Sequence, residues 1–411
     1  MDANMEVVYE RACGIDVHKR EIVVCVITGQ RKLQMKTYGT LTKDLQEMVK
    51  WLKEEACQMV AMESTGSYWK PLYNIFELEN IPAIVVNAQH MKAIPGRKTD
   101  EKDAKWIAKL LRHGLLRASF IPDKQQREYR ELTRYRNSRI EERAREINRL
   151  QKMLEGANIK LSNVVSDVTC RSAKELISLV IQNEEVTIEQ VSAARNVQCK
   201  SSSEEFLAAL TGIISPLQRE LFTEVLRIID EQTQQIERVE MMIRKYTAEA
   251  YDTAARALDD IPGIGRTSAE QIIAETGIDM SRFPTAHHLC SWAGLSPGNN
   301  ESAGKRKSGK TCKGNKTLKK TMVQCATAAI NKIDSYFYAQ YQRLVVRKGR
   351  KKAIVAVAHT MLIAVYHVLS GNKFRDLGAE YYTQFNKEKK IQSHLKQLAK
   401  LGWEPPCPAV A

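Results

Sequence analysis

The apolar residues of the first 120 positions alternate between the period of a strand and the period of a helix. Runs such as GIDV, EIVVCVI, QMVAME and IPAIVVN are typical of strands, whereas TKDLQEMVKWLKEEA has the spacing of an amphipathic helix. The predicted order is three strands, helix, strand, helix, strand, helix. A strand meander followed by β–α–β crossovers predicts an α/β domain, a mixed sheet with helices on its faces.

The last helix of this region carries two acidic residues on its apolar side. At 100° per residue, Asp100 and Asp103 share a stripe with Ala104, Ile107 and Leu111, and the opposite side carries Lys102, Lys105, Lys109 and Arg112. Acids in a first helical turn also complement the helix dipole. That accounts for Asp100, but it does not account for Asp103 on the apolar stripe.

Two further acids end predicted strands: Asp16 the first and Glu63 the fourth. The order of elements resembles the ribonuclease H-like fold, the scaffold of RuvC-type nucleases and many transposases, in which these two strands are neighbours. We therefore expect Asp16 and Glu63 to converge with Asp100 and Asp103. Four carboxylates suit magnesium, and two ions about 4 Å apart could activate an attacking oxygen and stabilise a leaving one.

Two long helices are predicted beyond this domain, at about 124–154 and 216–258. The first is rich in arginine, and the second carries an apolar stripe. They predict either a coiled-coil arm, which would offer a dimer contact, or a helical spacer packed only on itself. The residues between them, about 156–215, carry no motif that indicates a function.

A basic, glycine-rich segment lies at residues 295–320. From Glu301 to Lys320 it has eight Lys and Arg residues and one acid, and its Gly and Asn content predicts a loop as far as about Gly314. Such a loop lets backbone and Lys groups approach phosphates. The candidate phosphate-binding residues are Lys305, Arg306, Lys307, Lys310, Lys313 and Lys316. By residue type alone, its serines are ordinary loop residues.

The segment IPGIGRTSAEQIIAETG resembles a helix-hairpin-helix, in which a Gly-x-Gly turn, here Gly263 and Gly265, presents backbone N–H groups to a phosphate. The formal net charge of +15 also indicates a polyanionic partner, and nucleic acid is favoured over an acidic membrane surface. The apolar run from Ala353 to Leu369 is interrupted by histidines and predicts a buried core helix rather than a membrane span.

Nine scattered cysteines without a C-x-x-C pair favour a reducing cytosol over a disulfide framework or a zinc ribbon. No secretion signal is visible at the N-terminus. These features favour a cytoplasmic protein.

Six blocks together resemble the DEDD-type transposases of insertion-sequence family 110: GIDVHK, ESTGSYW, KTDEKDAKWIAKLL, IPGIGRTSAEQIIAETG, LCSWAGLSPGNNESAGKRKSGKTCKGNK and RKGRKKAIVAVAHTMLIAVYHVLSG. The resemblance places the four acids of the family on Asp16, Glu63, Asp100 and Asp103. It places the nucleophilic serine on Ser302, with Ser308 as the alternative.

The resemblance implies a recombinase that cleaves and rejoins DNA through a phosphoserine link and is guided by a structured RNA encoded by its element. It also implies a bacterial or archaeal, nucleoid-associated protein that acts as a homodimer or tetramer. The expected divisions are a RuvC-like domain at 1–122, a helical linker at 123–255, a domain carrying the serine at 256–375, and a tail at 376–411.

Two other functions compete with this interpretation. A RuvC-like junction nuclease would use the four acids with activated water and leave Ser302 idle. A non-catalytic DNA-binding protein would use the helix-hairpin-helix and the basic segments, but it would not explain acids on an apolar stripe.

Overall fold

The computed structural model describes residues 6–29, 32–64, 66–87, 100–196, 199–298, 300–302, 305–308, 310–384 and 387–403. The chain divides into two compact units, Met1–Lys124 and Gln125–Ala411. The first unit is a mixed α/β domain and the second is mostly helical.

A five-stranded sheet forms the centre of the first unit. Its strands are β1 (Ala12–Val17), β2 (Ile22–Ile27), β3 (Leu33–Tyr38), β4 (Met59–Glu63) and β5 (Ala83–Val86). They lie in the order β3-β2-β1-β4-β5, with β2 antiparallel to β1 and β3, and β4 parallel to β1 and β5. This confirms the mixed sheet that the sequence predicts, including the neighbouring first and fourth strands.

Helices cover both faces of this sheet, so β1 and β2 are buried along their whole length. Helices α1 (Thr42–Glu54) and α2 (Trp69–Leu78) pack on the face that carries Ile15 and Val24. Helix α3 (Asp100–Arg112) packs on the face that carries Ala12, Ala61 and Cys25.

The apolar stripe of α3 is buried as predicted, at Ala104, Ile107 and Leu111. The expectation that Arg112 lies on the exposed side is wrong, because Arg112 is buried and its Nη1 donates a hydrogen bond to Thr28 O at 3.1 Å. At the last turn of a helix, a long side chain can reach past the helix end to a strand terminus. A 100° projection ignores that reach.

Two long helices organise the first part of the second unit: α4 (Lys124–Gly156) and α8 (Pro216–Ala250). Between them lie a 3₁₀ turn (Leu161–Asn163), α5 (Arg171–Gln182), α6 (Ile188–Ala194) and α7 (Ser203–Leu210). Residues of all these elements share one hydrophobic core with Leu154 of α4 and Phe222 of α8. The long helices are therefore packed partly on this inserted bundle.

The remainder of the second unit is built around the apolar helix α14. The elements are α9 (Asp252–Asp259), α10 (Arg266–Thr276), a 3₁₀ turn (Met280–Arg282), α11 (Ala286–Trp292), α12 (Lys316–Ala329), α13 (Tyr336–Lys348), α14 (Arg350–Leu369), α15 (Tyr381–Gln384) and α16 (Lys387–Lys400). Helix α14 contacts α9, α11, α12 and α13.

Helix α14 is the only helix among the described residues that is long and apolar enough to cross a membrane. Its residues Val357, Met361 and Val365 are fully buried against its neighbours, as predicted for a core helix. Helices α15 and α16 lie in the segment that the sequence assigns to a tail, and residues 404–411 of that segment lie outside the described part.

Candidate functional site

Asp16 and Glu63 lie side by side at the carboxyl ends of two parallel strands. Ile15 of β1 pairs with Met62 of β4, and continuing this register by one residue places Asp16 beside Glu63. Adjacent strands are about 5 Å apart. Since side chains alternate along a strand, both acids belong to the face that α3 covers, the face of Ala12 and Ala61.

The backbone contacts of α3 show which way it runs over the sheet. At its C-terminal end, Arg112 O accepts hydrogen bonds from Val8 N (2.9 Å) and Tyr9 N (3.1 Å), which precede β1, while its Nη1 bonds Thr28 O just beyond β2. The last turn therefore lies at the amino end of β1. Asp103, in the first turn, lies toward the carboxyl end, where Asp16 is.

Helix α3 approaches the sheet closely because Gly14 has no side chain. A Cβ atom at Gly14 would lie 2.3 Å from both Ala104 O and Ala108 N. Gly14 is two residues before Asp16 on the same face of β1, and Ala104 follows Asp103. The missing Cβ thus determines the distance between the strand and the helix that carry these acids.

The described acids differ in their surroundings. Asp16 is 5% exposed, and its Oδ2 lies 3.0 Å from His18 Nε2. Glu63 and Asp103 are half-buried. No group of three or more His, Cys, Asp or Glu side chains is arranged to hold a metal ion within the described part of the chain. The side chain of Asp100 lies outside that part, so this finding concerns three acids of the predicted four.

The oxygen-donor character and the placement of these acids nevertheless suit a hard divalent cation. Asp16 and Glu63 lie on the sheet face that α3 covers, and Asp103 lies in the first turn of that helix. Asp and Glu oxygens are the ligands that such cations prefer.

The prediction of a loop through residues 295–314 is wrong in part. Strands β6 (Asn300–Ser302) and β7 (Lys305–Ser308) form an antiparallel hairpin in which Ser302 pairs with Lys305. Both strands are polar, so the apolar alternation that marks a half-buried strand is missing from the sequence. The side chains of 300–302 and 305–308 lie outside the described part, as do residues 303, 304 and 309.

A stem of hydrogen bonds joins this hairpin to the helices. Gly298 N donates to Lys310 O at 2.9 Å, and Cys312 N donates to Ser296 O at 3.1 Å. A Cβ at Gly314 would lie 2.3 Å from Gly294 N, so the two sides of the stem touch there. Of the predicted phosphate-binding residues with described side chains, Lys310, Lys313 and Lys316 are exposed along the stem and at the start of α12.

A buried ionic network links α4, α10 and the end of this stem. Glu275 and Glu270 of α10 are 0% and 3% exposed, and they pair with Arg134 and Arg136 of α4 at 2.7 Å and 3.1 Å. Burial lowers the pKa of Arg130 in the same network to about 10. Sequence analysis missed these residues, although two acids inside an apolar helix beside an Arg-rich helix could have signalled such pairs.

The turn between α9 and α10 contains the two predicted phosphate-binding glycines. Gly263 has φ +86°, and a Cβ there would lie 2.4 Å from Cys325 O and 2.6 Å from Ala329 N of α12. Gly265 caps the N-terminus of α10, and a Cβ there would meet no atom within 4 Å. Packing therefore requires glycine at 263 but not at 265.

Two family models match the chain. The model DEDD_Tnp_IS110, described as a transposase, matches residues 13–159, from β1 to just beyond the end of α4. The model described as Transposase IS116/IS110/IS902 family matches residues 255–342, from α9 into α13. The first match contains the four predicted acids, and the second contains the hairpin with Ser302. No curated protein matches the chain.

Proposed function

The chain belongs to the IS110-type transposases, enzymes that act on DNA, and we propose that it cleaves and rejoins DNA through the nucleophile Ser302 and a magnesium site. The proposed magnesium ligands are Asp16, Glu63, Asp100 and Asp103. The placement of Asp16 and Glu63 side by side, with Asp103 at the same end of the sheet, carries this proposal.

A DEDD transposase domain implies dependence on a divalent metal. When bound, magnesium would polarise a phosphate oxygen and offset the charge that develops during strand cleavage. His18 holds one oxygen of Asp16 and would orient this carboxylate. Gly14 would keep the helix that carries Asp103 at the distance the site needs.

The reaction proposed for Ser302 is a transesterification. Its hydroxyl oxygen forms a bond to phosphorus, the bond from phosphorus to one deoxyribose oxygen breaks, and that oxygen takes up the proton that the serine loses. Attack on the phosphoserine by a deoxyribose hydroxyl of the strand to be joined then forms a new phosphodiester, and the serine oxygen regains a proton. A serine hydroxyl needs activation for this step.

Phosphate contacts are proposed for the basic residues around the hairpin and for the α9–α10 turn. The residues are Lys305, Arg306, Lys307, Lys310, Lys313, Lys316, Gly263 and Gly265. The net charge of +15 supports such contacts. We propose that the turn acts as a helix-hairpin-helix, since Gly265 begins a helix in open space.

Further parts of the proposal concern assembly and partners. Helices α4 and α8 would form a coiled-coil arm for a homodimer or tetramer, which is supported by the exposed Leu217, Leu221, Met241 and Met242 of α8. A structured RNA would guide the protein to donor and target DNA in a bacterial or archaeal cytoplasm. The proposed domains remain 1–122, 123–255 and 256–375, with the segment 376–411 beyond them.

Trapping of a covalent complex tests the nucleophile. The protein, purified with its RNA, is incubated with magnesium and a plasmid that carries the gene and its native flanks, and is then denatured. We expect a denaturation-resistant protein–DNA complex that disappears in Ser302→Ala and persists in Ser308→Ala, with DNA binding retained in both. Cleavage without any adduct would instead favour the RuvC-like nuclease that uses water.

Removal of magnesium and the Asp103→Asn variant test the metal site. Both should abolish cleavage and leave DNA binding in place, because asparagine has nearly the shape of aspartate and lacks only the charge that the ion requires. Full activity of Asp103→Asn, or activity in excess chelator, would contradict the assignment. Manganese serves as a second probe, since it accepts the same oxygen donors.

A further inference from the structure

The carboxylate of Glu275 lies between α4 and the residue that ends the hairpin stem. It is fully buried, and Arg134 Nε and Nη2 donate to its two oxygens at 2.7 and 2.8 Å. Asn315 Nδ2 donates to Oε2 at 2.6 Å. Removing a hydrogen-bond partner from a buried polar group costs free energy, so these bonds fix Arg134 and Asn315 against Glu275.

Asn315 is the point at which the stem becomes helix α12. Its Oδ1 accepts a hydrogen bond from Leu318 N at 3.0 Å and so caps the helix, and its backbone N donates to Trp292 O at 3.1 Å. The adjacent Gly314 touches Gly294. A shift of the Asn315 side chain would therefore tilt the stem and the start of α12 together.

The hairpin magnifies such a tilt. Ser302 follows Gly298 of the stem by four positions, a chain length of up to about 13 Å at roughly 3.3 Å per residue. A tilt of about 5° at the stem moves Ser302 by about 1 Å, and a misplacement of that size can slow a reaction about 100-fold. A small tilt of the stem thus displaces Ser302 at the far end of the hairpin by enough to change the reaction rate.

We propose that Glu275 is a positioning residue for Ser302: through Arg134 and Asn315 it sets the direction of the hairpin relative to α4. This rests on the proposed role of Ser302. Helix α4 is the reference for that direction, because Arg134 lies on it. Glu275 itself never touches the reacting atoms.

Glu270 provides the matched control. If the ion pair of Glu275 were only structural, loss of either glutamate should affect stability and reaction rate in the same way. Glu270 lies on the same helix, is 3% exposed, and pairs with Arg136 at 3.1 Å and Arg266 at 3.3 Å. Its partners belong to α4 and to the first turn of α10, not to the stem. Loss of its charge should cost stability without redirecting the hairpin.

The test compares Glu275→Gln, Asn315→Ser and Glu270→Gln with the wild type, each purified with its RNA. The measurements are the melting temperature, the DNA concentration that half-saturates the reaction, and the rate of adduct formation at saturating plasmid DNA. Asn315→Ser keeps a helix cap and removes only the bond to Glu275, so it remains informative if Glu275→Gln fails to fold.

We expect Glu275→Gln and Asn315→Ser to slow adduct formation about 10- to 100-fold at saturating DNA. The DNA concentration that half-saturates the reaction should change by less than about threefold. The double variant should react no more slowly than the slower of the two single variants, because both substitutions remove the same connection between Glu275 and Asn315. Glu270→Gln should have a melting temperature as low as that of Glu275→Gln. Its rate of adduct formation should stay within about threefold of the wild-type rate.

A wild-type rate for Asn315→Ser, or an equal loss of rate in Glu270→Gln and Glu275→Gln, would overturn this inference alone. A wild type that cleaves DNA and forms no adduct at Ser302 would overturn the proposed function, and with it this inference. The two failures therefore give different results in the same assay.

Discussion

Replacement of Gly14 by Ala adds one methyl group where helix and strand backbones touch. The new Cβ would lie 2.3 Å from Ala104 O and Ala108 N and 2.9 Å from Ala108 Cα, whereas ordinary contact begins at 3.4 Å. The atoms that it meets belong to the backbone of α3 and cannot rotate away. The helix must therefore move from the sheet by about 1 Å to reach normal van der Waals separation.

This displacement has two measurable costs. Overpacking of this kind destabilises a protein by about 1–3 kcal/mol, which corresponds to a fall in melting temperature of roughly 3–12 °C. Asp103 moves with α3 while Asp16 stays on β1, so the proposed metal ligands separate by a similar amount. A misplacement of about 1 Å is expected to reduce strand cleavage about 100-fold.

The assay measures thermal unfolding by circular dichroism and cleavage of plasmid DNA at increasing magnesium concentration. Gly156→Ala is the control, since a Cβ there would meet no atom within 4 Å. It should leave both measurements close to the wild type. Wild-type cleavage and melting in Gly14→Ala would refute the close approach of α3 to β1 and the metal site argued from it.

Two further predictions concern the second unit. Gly263→Ala should lower the melting temperature strongly, because position 263 combines φ +86° with a Cβ that would lie 2.4 Å from a carbonyl oxygen. Gly265→Ala should fold normally, because a Cβ there meets no atom within 4 Å. It should weaken DNA binding in a filter assay if phosphate approaches that turn. An unstable Gly265→Ala would contradict this. Burial lowers the pKa of His359, so the folded state favours the neutral imidazole ring. The stability that this preference contributes is present above about pH 6.5 and is lost as the pH falls. Melting temperatures at pH 7.5 and 5 should therefore differ less in His359→Gln than in the wild type, and an equal difference would refute the role of this ring.

The fold of the first unit could be predicted because its signals are local. The Val- and Ile-rich strands and the helical spacing of α1 each need only a short window to be recognised. The position of Asp103 on an apolar stripe follows from helical geometry in the same way. The neighbouring placement of β1 and β4 needed the resemblance to a known strand order, because pairing between distant segments has no local signal.

The second unit shows where prediction from local pattern stops. The first long helix was expected to within about two residues of its ends. The second was expected to reach about 258, but it ends at Ala250 and a separate helix, α9, follows. The polar hairpin at 300–308 carries no alternation that would reveal it. The buried pair of Arg136 and Glu270 is equally hidden from a sequence reading, since charged residues are normally expected at the surface. Gly263 is a predicted phosphate-binding residue, and packing against α12 is a second, independent reason for a glycine there, which the sequence pattern does not reveal.

In the first unit, the order of residues alone determined which segments become strands and helices, and it placed acids at the ends of strands and at the start of α3. Hydrophobic period and backbone preference act over a few residues, so they can be read without coordinates. The tertiary structure decided the distances: how near α3 comes to Gly14, what Glu275 joins, and from where the hairpin of Ser302 projects. Those depend on which distant surfaces fit when the core excludes water, and such fit is a property of the packed chain as a whole.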